Sequence, residues 1–129
     1  MRLLLDTHAF IWASTEPIRL PLKVRTALVD PANEVLLSHA CVWEIEIKLG
    51  LGKLQLLKPI EQIVDDQIRC NGLTELPIAL RHIYALRQLP RIHRDPFDRL
   101  LVAQAISEQA RLVSCDPILS RYPAPIFWN

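Results

Sequence analysis

Short apolar runs alternate with segments of helical periodicity along most of the chain. The run at 2–5, which Asp6 ends, predicts a buried strand, although its leucines alone do not exclude a helix. Apolar residues three and four apart predict helices elsewhere. Strands are predicted at 2–5, 34–38, 73–76, 112–115 and 126–128, and helices at 7–14, 22–29, 39–49, 59–69, from 77 onwards and at 96–110.

This alternation of strands and helices predicts the fold class. It is typical of an α/β protein with a mainly parallel sheet of about five short strands that helices cover on both faces. The chain contains no internal repeat and no low-complexity segment. Residues 1–129 are therefore predicted to form a single domain.

The composition narrows the function classes only a little. The 129 residues are 50% hydrophobic and 22% charged, and the formal charge of +1 argues against a strongly basic protein that wraps nucleic acid. Three cysteines without a Cys-x-x-Cys pair favour reduced thiols over a disulfide framework or a zinc site. The four histidines have no metal-ligand spacing. With no apolar run near the ~20 residues of a membrane span, we expect a soluble, cytoplasmic protein that does not contact a membrane.

One predicted helix carries a charge in an unexpected place. Asp95 before Pro96 is typical of an N-cap followed by proline at the first helical position. On that register Asp98 shares a face with Leu101 and Val102, which lie three and four residues further on. A carboxylate on the apolar face of a helix needs a partner.

Three further acids are predicted to lie at the same end of the sheet as Asp98. Asp6 and Asp116 each follow a predicted strand, and Glu44 lies in the helix after the second strand. Ligands of open α/β sheets bind at the carboxyl ends of the strands. Because clustered carboxylates repel one another, a hard cation such as Mg²⁺ or Mn²⁺ is their expected partner, and such ions assist phosphoryl-ester chemistry.

Each acid also has a purely structural interpretation. Asp6 and Asp116 are both placed to cap a helical turn. Asp98 falls where the acid of a capping box would lie. Glu44 is four residues before Lys48 and is able to form an ion pair with it. These interpretations treat one residue at a time and do not explain why both Glu44 and Asp98 face inward.

Several segments in sequence order resemble the PIN-domain family, most closely its VapC-type toxins of bacterial and archaeal toxin–antitoxin pairs. They are LLLDTH at 3–8, SHACVWEIEIK at 38–48, LGKL at 51–54, HRDPFDRLLVAQA at 93–105, VSCDP at 113–117 and FW at 127–128. The resemblance covers nearly the whole chain. It implies the PIN-like three-layer fold, in which a central, mainly parallel sheet is flanked by helices.

The resemblance also implies an activity, which is that of a metal-dependent endoribonuclease. Asp6, Glu44 and Asp98 match the three core acids of the family, and Asp116 matches its more variable fourth acid. Thr7 matches the small hydroxyl residue that often follows the first acid. The implied partners are an RNA substrate and a small antitoxin, in a homodimer or a toxin–antitoxin hetero-oligomer. Cys115 departs from the family, whose members commonly have a polar or basic residue at that position.

We expect the four acids to bind one or two Mg²⁺ ions, with Mn²⁺ as a substitute, and a metal-activated water to hydrolyse RNA phosphodiester bonds. This reaction leaves 5′-phosphate and 3′-hydroxyl ends, whereas attack by a 2′-hydroxyl would need a pair of acid–base histidines. The candidates for contacts with RNA phosphates are Lys48, Arg94, Arg99 and Arg121.

Two alternatives stay open at this point. A phosphatase of the haloacid-dehalogenase type also has a nucleophilic aspartate after its first strand, but it needs a second acid two residues later, where this chain has His8. The other alternative is a catalytically silent PIN-like module that only binds proteins. The presence of all the acids argues against it.

Overall fold

One sheet organises the fold, and every pair of neighbouring strands in it is parallel. The computed structural model describes residues 1–129. The strands are β1 (Arg2–Leu5), β2 (Glu34–Ser38), β3 (Thr74–Leu76), β4 (Arg111–Val113) and β5 (Ile126–Phe127). Their spatial order is β3-β2-β1-β4-β5, which confirms the predicted α/β class and the parallel sheet of five short strands.

The connections between the strands are helical. The helices are α1 (Thr7–Thr15), α2 (Leu22–Val29), α3 (His39–Gly50), α4 (Ile60–Asn71), α5 (Leu80–Ala85) and α6 (Pro96–Ser107), with short 3₁₀ turns at Pro17–Arg19, Leu86–Gln88 and Leu119–Arg121. None of the six is long and apolar enough to span a bilayer.

The central strand is buried on both faces. Leu3, Leu4 and Leu5 are at most 1% exposed, although successive side chains of a strand point to opposite faces. Leu4 lies in register between Leu36 of β2 and Leu112 of β4, both buried as well. The unbroken apolar run that left helix and strand undecided in the sequence therefore belongs to a strand with helices on both sides.

The strand order reverses beside β1. The chain passes outward from β1 to β2 and β3, and it then returns to the other side of β1 for β4 and β5. The backbone N–H of Asp6 donates to the carbonyl of Val113 at 3.1 Å, so β1 and β4 remain hydrogen-bonded to each other as far as their carboxyl ends. In parallel sheets a crevice that binds ligands forms at such a reversal.

A buried polar network ties α3 to α6, the two helices that carry Glu44 and Asp98. The Ser38 hydroxyl accepts from the Ala40 N–H at 3.0 Å and donates to Gln104 Oε1 at 2.5 Å. Gln104 Nε2 lies 3.3 Å from His82 Nδ1. Ser38, Gln104 and His82 are all 0% exposed, so this network fixes the relative position of the two helices in a part of the protein without water access.

Helix α6 ends three residues earlier than predicted, at Ser107 instead of Ala110. Gln109 has a left-handed φ of 54°, and the Ala110 N–H donates to the Ala105 carbonyl at 2.9 Å. This is a Schellman ending in which glutamine occupies the position that glycine usually takes. Gly50, predicted to follow α3, instead lies inside the helix, and the left-handed residue is Gly52 with a φ of 70°.

Two other predicted boundaries differ from the structure. Strand β4 ends at Val113 and not at Cys115, because the Ser114 hydroxyl accepts from the Asp116 N–H at 3.1 Å and turns the chain out of the sheet. Helix α5 begins at Leu80 and not at Pro77, after an extended Ala79 whose N–H donates to His82 Nδ1 at 3.0 Å. Both differences come from local side-chain contacts that periodicity does not reveal.

Candidate functional site

The acids predicted from the sequence lie around the carboxyl ends of β1 and β4. Asp6 directly follows β1, and Asp116 follows β4 after a two-residue turn. Asp98 lies in the first turn of α6, and Glu44 lies in α3. Helix α3 packs against both α1 and α6, and β1 pairs with β4, so the segments that carry these four residues are neighbours in space.

Asp6 serves as a helix cap and as a buried charge at the same time. Its side chain is the N-cap of α1, and its Oδ1 accepts from the Ala9 N–H at 2.8 Å. The residue is only 6% exposed. Burial raises the pKa of the Asp6 carboxyl, and the charge of Glu44 acts in the same direction, against hydrogen bonds from Ser114 and Ala9. The cap that the sequence predicted is present and does not remove Asp6 from the site.

Each carboxylate oxygen of Glu44 contacts a polar group of a neighbouring side chain. The Thr7 hydroxyl donates to Oε1 at 2.6 Å, and the Lys48 ammonium lies 2.8 Å from Oε2. Glu44 is 7% exposed, so these contacts compensate a charge that water barely reaches. The ion pair with Lys48 proposed from the sequence is therefore formed, and Thr7 holds the other oxygen.

Asp98 faces inward, as the register of the helix predicted. Its side chain is 19% exposed, and its Oδ2 lies 2.9 Å from His93 Nε2. Burial, followed by the charges of Asp95 and Glu44, raises the pKa of the Asp98 carboxyl to about 6, while His93 opposes this rise. The N-cap of α6 is Asp95, whose Oδ1 accepts from the N–H groups of Phe97 and Asp98. The Asp98 carboxylate forms a hydrogen bond with His93 and not with the backbone N–H of Asp95, so no capping box is formed.

Asp116 combines a turn contact with a place beside Asp98. Its Oδ1 accepts from the Ile118 N–H at 2.9 Å, so the predicted capping contact is present. One ligand atom each of His93, Asp98 and Asp116 lies within 4.8 Å of the other two. Asp6 and Glu44 do not belong to this group of three, but the charge of Glu44 raises the pKa of both Asp6 and Asp98.

The donor atoms of this site fit a hard divalent cation. The carboxylate oxygens of Asp98 and Asp116 lie within 4.8 Å of each other, near enough for both to contact one octahedral Mg²⁺, whose opposite ligands are about 4.2 Å apart. The nearby Cys41 is not a competing soft ligand, because it is buried, its Sγ contacts the Leu5 carbonyl at 3.4 Å, and burial raises its pKa far above the ordinary range. Zinc-type coordination by thiolates is therefore not supported.

His93 is the site residue that the sequence did not reveal. The sequence pattern singled out no histidine as a site residue. Three histidines, His8, His39 and His93, lie near the predicted site, and their contacts differ. His8 stacks at 5.7 Å on Trp12, and His39 pairs with the exposed Glu75 at 3.0 Å. Only the ring of His93 contacts one of the predicted acids. In the sequence, only its position five residues before Asp98, in the basic loop that leads into α6, suggested that His93 lies near the site.

The four basic residues predicted to contact RNA have different surroundings. Lys48 pairs with Glu44. The Arg99 guanidinium donates to the carbonyls of Pro90 and Leu86, at 2.9 and 3.3 Å, and these contacts anchor the loop before α6. Arg94 and Arg121 are exposed, and their side chains form no hydrogen bond or ion pair.

A groove of about 750 Å³ opens beside α1, the segment after α3, and α4. Its lining is mainly cationic: Arg19 and Lys58 pair with the lining acids Glu16 and Asp66, and Lys48 and Lys53 add two further positive charges. Lys48 contacts Glu44 and also lines the groove, so the groove is directly connected to the acid site.

Comparison with known proteins identifies the family. The profile of the PIN domain matches residues 3–125. Ribonuclease VapC22 of Mycobacterium tuberculosis is 30% identical over 128 residues, which cover 95% of each chain. Ribonuclease VapC16 of the same organism is 37% identical over 60 residues, which cover 46% of this chain and 43% of the relative.

Solved structures show the same fold at lower identity. VapBC2 from Rickettsia felis, bound to a DNA fragment from its promoter, superimposes with a TM-score of 0.74 at 19% identity and covers all of both chains. DNA-bound VapBC from Salmonella typhimurium gives a TM-score of 0.67 at 17% identity, covering 98% of this chain and 96% of the other. With the profile match over nearly its whole length and the VapC-type relatives, this chain belongs to the PIN domain family, as its motifs had indicated.

Proposed function

We propose that this protein is a Mg²⁺-dependent endoribonuclease that acts as the toxin of a toxin–antitoxin pair. The observation that carries the proposal is the group of buried or half-buried acids at the carboxyl ends of β1 and β4, namely Asp6, Glu44, Asp98 and Asp116. Two curated relatives are named ribonucleases. In this proposal residues 1–129 act as a single PIN-like domain.

The residues best placed to hold the cation are Asp98 and Asp116, with Asp6 and Glu44 beside them. All four supply carboxylate oxygens, which suit Mg²⁺ and also Mn²⁺ as a substitute. When bound, such a cation neutralises charge on a phosphate and acidifies the attacking water. The reaction is hydrolysis, and the products carry 5′-phosphate and 3′-hydroxyl ends.

The protein itself orients two of the acids through hydrogen bonds. Thr7 fixes one oxygen of Glu44, and the Ala9 N–H fixes one oxygen of Asp6. Preorganised carboxylates keep their geometry when the substrate arrives and need no rearrangement during the reaction. Lys48 connects Glu44 to the cationic groove, where its ammonium is available to an RNA phosphate.

Exposed arginines provide further phosphate contacts. Arg94 and Arg121 have no protein partner for their side chains, so their guanidinium groups are free to bind the RNA backbone. Arg99 is bonded to loop carbonyls, and in this proposal it supports the loop before α6 and does not bind RNA.

The proposed partner is a small antitoxin protein. The similar solved structures include VapBC complexes from Rickettsia felis, Salmonella typhimurium and nontypeable Haemophilus influenzae. By analogy, this chain forms a homodimer or a hetero-oligomer with its antitoxin. The cytoplasm is the proposed compartment, because that is where an RNA substrate and a partner of this kind meet.

The decisive experiment compares the wild-type protein with Asp98→Asn on total cellular RNA. We expect cleavage with Mg²⁺, none with EDTA, and 5′-phosphate ends that ligate directly to an adaptor. Asp98→Asn removes one ligand charge and should reduce cleavage by at least about 100-fold, since even residues that only support metal ligands contribute ~10–100-fold.

The matched control is Asp65→Asn, which removes an exposed carboxylate that pairs with Arg69 on α4. It should cleave like the wild type. Undiminished cleavage by Asp98→Asn would overturn the site assignment. Failure of the wild type to bind Mg²⁺ or Mn²⁺ would favour the silent protein-binding module, whereas the phosphatase alternative has lost its support through the PIN profile match.

A further inference from the structure

Three hydrogen bonds fix His93 in position. Its backbone N–H donates to the Tyr122 hydroxyl at 2.8 Å, and Tyr122 is buried. Its ring Nδ1 accepts from the Arg94 N–H at 3.2 Å. Its ring Nε2 lies 2.9 Å from Asp98 Oδ2. The backbone and both ring nitrogens are therefore engaged, in a loop that has no regular secondary structure.

These contacts determine which ring nitrogen carries the proton. Because Nδ1 accepts a hydrogen bond from a backbone N–H, Nδ1 carries no proton. The proton of the neutral ring is then on Nε2, and His93 donates it to the Asp98 carboxylate. The lone pair needed to coordinate a metal is absent from the nitrogen that faces the acids.

We propose that His93 is a positioning residue, which holds the Asp98 carboxylate for the divalent cation through the Nε2–H···Oδ2 hydrogen bond. This inference rests on the proposed function in so far as Asp98 is a ligand of the cation. Carboxylates that bind metals are commonly held by a hydrogen bond from a neighbouring group, and loss of such a bond lowers metal affinity by ~10–100-fold.

The position of the imidazole relative to the second acid supports this role. A ring nitrogen of His93 lies within 4.8 Å of a carboxylate oxygen of Asp116 as well as beside Asp98. The side chains of His93 and Asp98 are 23% and 19% exposed, so the hydrogen bond between them is only partly open to solvent. An N–H donor at this point reduces the repulsion between two carboxylates that would share one cation.

A second histidine–carboxylate pair provides a comparison within the same chain. His39 Nε2 lies 3.0 Å from Glu75 Oε1, with side chains that are 46% and 54% exposed. The distance is nearly the same, but Glu75 does not belong to the acid group and the His39 ring has no second partner. His39→Ala therefore removes an equivalent contact without any expected effect on metal binding.

The experiment is a Mn²⁺ titration of the full chain, followed by electron paramagnetic resonance of the free ion. It compares the wild type, His93→Ala, His93→Gln and His39→Ala. The glutamine amide places an N–H donor near the position of the imidazole Nε2. We expect His93→Ala to weaken Mn²⁺ binding by at least about 10-fold, His93→Gln to recover it to within about 3-fold of the wild type, and His39→Ala to leave it unchanged.

Electron spin echo modulation on the wild-type Mn²⁺ complex separates positioning from direct coordination without any variant. A positioning role predicts no strong modulation from a directly bound ¹⁴N. Strong ¹⁴N modulation would overturn the proposal and make His93 a ligand. Mn²⁺ binding by His93→Ala equal to that of the wild type, with unchanged circular dichroism, would also overturn it.

The outcomes separate this inference from the proposed function. A wild-type protein that binds no Mn²⁺ contradicts both. A wild-type protein that binds Mn²⁺ and cleaves RNA, while His93→Ala does both equally well, contradicts only the role of His93. If His93→Ala fails to fold, His93→Gln and the wild-type ¹⁴N measurement still decide the question.

Discussion

The Thr7 hydroxyl donates a hydrogen bond of 2.6 Å to Glu44 Oε1, across the contact between α1 and α3. Both residues are less than a tenth exposed. Thr7 is the residue next to Asp6, so this bond joins the acid of β1 to the acid of α3 through a single side chain. This hydroxyl therefore links the two acids directly, in addition to the packing of α3 against α1.

Replacing that hydroxyl should impair both stability and activity. Thr7→Val keeps the side-chain shape and leaves Glu44 Oε1 buried without its donor, which costs about 1–3 kcal/mol. Urea unfolding should show this loss, and RNA cleavage should fall as well. Thr7→Ser retains the hydroxyl and is the control. If Thr7→Val unfolds at the same urea concentration as the wild type, the hydrogen bond has no energetic role.

The raised pKa of Asp98 predicts how the stability of the metal-free protein depends on pH. The folded protein binds the Asp98 proton more tightly than the unfolded chain, because its pKa is about 6 instead of 3.8. The folded state therefore holds more protons between about pH 4 and 6, and stability falls as the pH rises through that window. Allowing for solvent screening, we expect the free energy of unfolding to fall by about 1–2 kcal/mol between pH 4 and 6.

We would measure urea unfolding of the wild type and of Asp98→Asn in EDTA, at several pH values from 4 to 7. The difference between their free energies of unfolding gives the contribution of Asp98. The asparagine variant should lack that part of the pH dependence. Parallel curves for the two proteins would contradict the shifted pKa. In the presence of the cation the expected trend reverses, because an ionised Asp98 is required for binding, so Mn²⁺ affinity should rise over the same window.

Divalent cations should stabilise the folded protein. A ligand that binds only the folded state at 100 times its dissociation constant contributes about 2.7 kcal/mol. We expect Mg²⁺ or Mn²⁺ to raise the melting temperature and EDTA to reverse the effect. K⁺ at the same ionic strength provides a comparison for general screening. No change with Mg²⁺ or Mn²⁺ would mean that the acids do not form a cation site.

Asp116→Asn separates the two roles of Asp116. The asparagine side chain keeps an oxygen that is able to accept from the Ile118 N–H, so the turn survives while the charge is removed. We expect metal-free stability within about 0.5 kcal/mol of the wild type. The rise in melting temperature with Mn²⁺ should be smaller than in the wild type. An unchanged response to Mn²⁺ would leave Asp116 with only its turn contact.

The buried amide of Gln104 should be important for stability. Gln104→Leu leaves the buried Ser38 hydroxyl without an acceptor for its proton, which costs about 1–3 kcal/mol, whereas His82 Nδ1 still accepts from the Ala79 N–H. Chemical unfolding should show a loss of about 1–3 kcal/mol in the free energy of unfolding. Gln62→Leu, at an exposed position of α4, is the control. Equal stability of the two variants would mean that the network contributes nothing to holding α3 against α6.

Much of the fold was predictable because its strongest elements are local in origin. Strands β1 and β2 have the predicted bounds, since a short apolar run ended by a polar residue suffices to define a buried strand. The inward orientation of Asp98 followed from the helical period and the Asp95-Pro96 start. The end of α6 was not predictable in the same way, because Gln109 takes the left-handed conformation without a glycine to mark it.

The candidate site was predictable in its residue types but not in its contacts. The positions of Asp6 and Asp116 follow from the strands that precede them. The role of His93 depends on a loop that Tyr122 holds against the start of α6, and Tyr122 is 29 residues further along the chain. The helical spacing predicted that Lys48 pairs with Glu44, whereas the hydrogen bonds from Arg99 to the carbonyls of Pro90 and Leu86 depend on tertiary structure.

Because β1 is central, it is synthesised long before the second of its two neighbouring strands. Leu3 pairs with Arg111, so the second neighbour of β1 is synthesised more than a hundred residues after β1 itself. A nascent chain that ends before Arg111 has no β4 and no Asp116, and its β1 is exposed along one edge. The crevice at the carboxyl ends of β1 and β4, with the fourth acid beside it, is therefore complete only after nearly the whole chain has been synthesised.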